Sequence, residues 1–77
     1  MEKFIARLEE DGFTLEFDFR YRASVYLKRV KNISIWVDIY WRLGIVSVFY
    51  LGCGGREQHD YKITDIDKIK IDYDKTF

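Results

Sequence analysis

The clearest signal in the chain is alternation. Between positions 13 and 22 apolar and polar residues change places without a fault. Phe13, Leu15, Phe17, Phe19 and Tyr21 fall on one side, and Thr14, Glu16, Asp18, Arg20 and Arg22 on the other. Successive side chains of a strand point to opposite faces, so a period of two predicts a half-buried strand. A second such run sets Ile33, Ile35, Val37, Ile39 and Trp41 against Ser34, Trp36, Asp38 and Tyr40. Arg42-Leu43-Gly44 then reads as a turn, and residues 45–51 return as the other arm of a hairpin. Residues 23–31 fit either a strand or a helical stripe. Val and Tyr favour pleated surfaces and the neighbours are strands, so strand is preferred, with a turn at Lys31-Asn32. Residues 59–63 and 69–74 are shorter strand candidates, separated by a bend or helical turn at 64–67.

The start of the chain has a different period. Phe4, Ile5 and Leu8 share one face of a helix over residues 2–11. Gly12 suits the left-handed position just past its end, and Phe13 is then placed to touch Leu8 one turn back. Ten residues do not hold a helix in water, so packing must hold this one. One short helix and about five strands with short connections predict an α+β fold, a helix packed on an antiparallel meander. A partly closed small β-barrel is the competing architecture.

Composition narrows the class. With 77 residues the chain has room for a single domain over 1–77. Hydrophobic residues make up 48% and the net charge is zero, which excludes disorder. One cysteine, Cys53, excludes a disulfide framework. No apolar run is long enough to span a bilayer and no signal segment opens the chain, so no membrane role and a cytoplasmic location are expected.

The middle strands are apolar on both sides, and one short helix covers only one of them. The second side is expected to carry Trp36, Tyr40 and, across the hairpin, Tyr50 with Val46 and Val48. Either the sheet curls to bury this side or another molecule covers it, since an uncovered patch of this kind marks an interaction site.

Charge is unevenly spread. Residues 1–18 carry a net −4, residues 19–56 a net +6 and residues 57–77 a net −2. The basic middle interleaves aromatics, and Arg20, Arg22, Lys28 and Arg29 are candidate binding residues for a partner surface or for phosphates. Yet neighbours in a strand face opposite ways, and a neutral chain lacks the basic balance of most nucleic-acid-binding domains. Glu9, Glu10 and Asp11 crowd the helix C-terminus, where the dipole disfavours anions, so pairing with Arg7 or the basic strands is expected.

Catalytic patterns are weak. Gly52-Cys53-Gly54-Gly55-Arg56 has the makings of an anion nest but lacks the strand–loop–helix context of a phosphate loop. Cys53, Glu57, His59 and Asp60 are metal-ligating types without a second Cys or His. The aspartates from 65 to 74 lack the glycine and the terminal Glu of a calcium loop. No enzyme activity, cofactor or metal is therefore expected.

In length and composition the chain is similar to the small accessory or anti-defence proteins of phages and mobile elements, such as anti-CRISPR proteins. That likeness transfers no functional residue. The two-sided aromatic sheet, the separated charges and the lack of a catalytic constellation lead to the expectation of a non-enzymatic module that binds a host or other partner protein, as an inhibitor does, with Trp36, Tyr40, Tyr50, Arg20, Arg22, Lys28 and Arg29 as candidate binding residues. A nucleic-acid-binding domain using residues 20–31 and a self-associating homodimer are the alternatives.

Overall fold

The helix α1 (Glu2–Glu10) ends as its sequence requires. Gly12 takes φ +93°, the Phe13 amide donates to the Leu8 carbonyl and the Gly12 amide to that of Glu9. These two bonds are the Schellman pattern, which satisfies carbonyls left over at a helix end. The expected hydrophobic partners, Leu8 and Phe13, both lie in the core.

Five strands follow, β1 (Thr14–Phe19), β2 (Ala23–Val30), β3 (Ile33–Tyr40), β4 (Ile45–Gly52) and β5 (Gly55–Lys62). The computed structural model describes residues 1–19 and 22–77; Arg20 and Tyr21 lie outside the described residues. Each strand pairs antiparallel with the next, giving the order β1-β2-β3-β4-β5. Among the described residues β1 and β5 do not meet, so the sheet is an open meander and the barrel alternative is not adopted. Residues 23–31, ambiguous in sequence, are strand over 23–30.

The core lies between one face of this sheet and the segments laid over it. Ile33, Ile35, Val37 and Ile39 of β3 are 0–4% exposed and meet Phe4 and Leu8 of α1. Two sequence expectations fail at the C-terminal end. First, residues 69–74 are not a strand. After a 3-10 segment (Ile63–Lys68) the chain runs irregularly over the helix side of the sheet. Ile69 is buried in the core, and the Asp72 amide donates to the Tyr50 hydroxyl at 2.9 Å. The Tyr73 hydroxyl donates to Asp11 at 2.9 Å. Burial, then the neighbouring Asp11 carboxylate, pushes the Tyr73 phenol up to about 12. Second, β5 begins at Gly55, and only Cys53-Gly54 separates it from β4. Phe77 lies on this hairpin: a Cβ at Gly54 would stand 2.6 Å from the Phe77 backbone. Glycine is needed there for close approach, and Phe77 lies where the anion nest was sought.

The acidic helix end also finds its partner. The Lys28 ammonium donates to the Asp11 carbonyl and stands 4.8 Å from the centre of the Tyr73 ring. A cation from the basic middle of the chain thus answers the negative end of α1.

A candidate interaction face on the open side of the sheet

Register decides which side chains face away from the helix. In β3 the alternation is simple: Ile33, Ile35, Val37 and Ile39 face the core, and Trp36, Asp38 and Tyr40 face out, half-buried. β4 pairs with β3 through Tyr40↔Ile45, which sets Val46, Val48 and Tyr50 opposite Ile39, Val37 and Ile35. Residues directly opposite share a face. Tyr50 therefore belongs to the core, 2% exposed, and not to the face carrying Trp36 and Tyr40. The expectation that these three aromatics share a face is corrected here, and the same correction applies to Val46 and Val48. Their place on the open side is taken by Phe49, opposite Trp36, and by Leu51, which is 44% exposed.

A bulge makes the second change. Leu15 pairs with Tyr26, but Phe17 pairs with Val25, so Glu16 is the extra residue in β1. An inserted residue inverts the facing of everything beyond it. Leu15 is left on the helix side, while Phe17 and Phe19 turn to the open side. There the two rings stack at 5.9 Å and are 54% and 57% exposed. The single face predicted for Phe13 through Phe19 is thus split. Asp18 turns to the helix side and accepts a hydrogen bond from Ser24, which itself accepts one from the Trp41 indole. Trp41 lies beyond the end of β3, 36% exposed, rather than in the core row with Ile39.

The basic residues singled out in sequence do not form one strip. Lys28 is on the helix side, held by Asp11. Arg29, opposite Ser34 of β3, is exposed on the open side. Arg22 is exposed in the turn before β2, and Arg20 lies outside the described residues. Leu27 joins the open side, opposite Trp36; it is 5% exposed yet separate from the core cluster.

At the middle of the open face stands a carboxylate. Val25, Trp36, Asp38 and Phe49 line a shallow depression of about 280 Å³. Asp38 Oδ2 accepts a hydrogen bond from the Tyr40 hydroxyl at 3.2 Å, whereas its buried Oδ1 has no partner. Burial raises this carboxyl above the ordinary range, and the Tyr40 bond offsets part of the rise. A group whose folded pKa is raised destabilises the fold once ionised. The penalty is full above the folded value and vanishes below the unfolded one. Asp38→Asn removes the charge while its amide oxygen can still accept from Tyr40, so it should stabilise the isolated protein near neutral pH. Urea titrations should show that gain disappearing as pH falls through the carboxylate range. Functional sites commonly carry a stability cost of this kind.

The metal-ligating types do not converge. His59 Nε2 and Glu57 Oε2 are 2.6 Å apart on the helix side, Asp60 faces the open side, and Cys53 is exposed in the hairpin. Among the described residues there is no group of three His, Cys, Asp or Glu side chains able to hold a metal, and no helix long and apolar enough to cross a membrane. Compared with known proteins, the chain matches no family model, no curated protein and no solved structure.

Proposed function

We propose that the protein is a non-enzymatic protein-binding module whose open sheet face occupies the surface of a partner. The observation that carries this reading is the contiguous aromatic and aliphatic lattice opposite the core: Phe17, Phe19, Leu27, Trp36, Phe49 and Leu51. Antiparallel sheets usually present polar residues on their solvent side. Large apolar side chains left there mark an interaction surface, and aromatic and Arg side chains supply its anchors. The size likeness to anti-defence proteins makes host defence proteins the first partners to screen.

Asp38 and Asp60 favour this reading over nucleic acid. Both face the open side and offset the cations Arg29, Arg56 and Lys62 there, so the face is not the basic groove that a base-stacking platform uses. Capture from nuclease-treated lysate, followed by calorimetry with the purified partner, provides the test. Trp36→Ala and Phe49→Ala should each weaken binding at least about 10-fold, the scale of an interface hot spot. Their melting temperatures should stay within a few degrees of the parent. Unchanged affinity in both variants, or loss of the partner on nuclease treatment, would remove the proposal.

A further inference from the structure

The open face carries its charges in an order that fits a second copy of itself. Four rows run across the strands there; the outermost holds Tyr40, Ile45 and Lys62, and the charge order lies in the other three. The central row holds Leu27, Trp36 and Phe49 in register. One step along the strands lies an acidic row with Asp38 and Asp60; one step the other way lies a basic row with Arg29 and Arg56. Among the described residues neither Arg29 nor Arg56 is paired with a carboxylate.

We infer that two copies stack open face to open face about a two-fold axis running along the Leu27–Trp36–Phe49 row. Such an axis leaves each strand over its own copy and exchanges the rows on either side. Asp60 then stands over the partner's Arg56, and the unsatisfied Asp38 Oδ1 comes within reach of the partner's Arg29. The aromatic row closes on itself between them. An axis along β3 would instead set Asp38 over its own copy, so the charges select one of the two symmetric stackings. Zero net charge removes the general repulsion between copies. This inference rests on the reading of the open face as a protein-binding surface and names its occupant when no other partner is present.

Four strands of eight residues and one of six offer a footprint of roughly 500 Å² per copy, at the weak end of specific interfaces. The dimer should therefore form with concentration. Sedimentation of the full chain from about 1 μM to roughly 500 μM should show a monomer passing to a dimer, as a weak interface does. Arg56→Asp and Asp60→Arg should each raise the dissociation constant at least about 10-fold, and the double exchange on one chain should restore it to within about 3-fold. Asp60 also accepts a hydrogen bond from buried Ser47. Should Asp60→Arg fail to fold by circular dichroism, Arg29→Glu, Arg56→Glu and added salt must each weaken the dimer instead.

A monomer at every concentration overturns the inference, as does a dimer indifferent to these exchanges. The broader reading is decided separately. A monomeric protein that still loses a captured partner on Trp36→Ala retains its binding face and loses only the self-pairing. Indifference of both assemblies to Trp36→Ala removes both.

Discussion

A chain ending at Lys68 should melt far below the full chain or not fold at all. The nine residues removed include Ile69, which is 2% exposed in the core, and Ile71 and Tyr73, which pack against it. Burying one large aliphatic side chain stabilises by roughly 1.5–3 kcal/mol. The cut also removes the amide bonded to the Tyr50 hydroxyl and the carbonyl of Ile69 that accepts from Arg7. Together these losses reach about 5 kcal/mol, while a chain of this size carries roughly 4–12 kcal/mol in all. Thermal unfolding followed by circular dichroism should show a melting temperature lower by more than about 20 °C, or no sigmoidal transition. Ending the chain at Tyr73 should cost far less, since Phe77 is 41% exposed. A cut at 68 that melted like the parent would mean that α1 alone covers the sheet.

Alternation alone does not make residues 69–74 a strand. Ile69, Ile71 and Tyr73 do alternate with charged residues, but alternation only says that one side is buried. It does not say that the backbone has a strand to pair with, and here the segment crosses over the sheet instead of joining its edge. The helix end was legible because Leu8, Gly12 and Phe13 are local to one another and their geometry follows from glycine's freedom at positive φ. β3 was legible for a similar reason: its alternation is unbroken and both neighbours pair along its whole length.

The open face was half legible. That a second apolar side existed followed from counting, because a single short helix cannot cover both. Which residues line it depended on register. Residues 45–51 are apolar except at Ser47, so periodicity gave no preference between 46, 48, 50 and 45, 47, 49, 51. The four-residue turn from Trp41 to Gly44 settles it by pairing Tyr40 with Ile45. Ser47 was the available clue: a lone hydroxyl in an apolar run belongs more readily with Asp38 and Asp60, and in the fold it donates to Asp60 at 2.6 Å. The bulge at Glu16 left no such trace, since the sequence alternates straight through it. Phe17 and Phe19 therefore share one side with Phe13 and Leu15 in a pattern that the backbone breaks.

The second large effect is expected at Leu8, and it separates the two faces of the sheet by energy. Leu8 is fully buried and joins the helix end to the core through Phe13. Leu8→Ala should cost about 3 kcal/mol, the usual range for an aliphatic side chain with no room to collapse around it. The melting temperature should fall by about 15 °C, with the slope of the urea transition unchanged. Phe17→Ala removes a larger side chain but one that is 54% exposed, and in dilute solution it should cost less than about 1 kcal/mol. If Phe17→Ala were as damaging as Leu8→Ala at low concentration, the open face would already be covered within the single chain. The contrast should change as protein concentration rises. A complex formed only by the folded state adds stability by mass action, so the parent melts higher in concentrated solution while Phe17→Ala gains less. The cost of Leu8→Ala, on the opposite face, should stay the same wherever the same assembly forms.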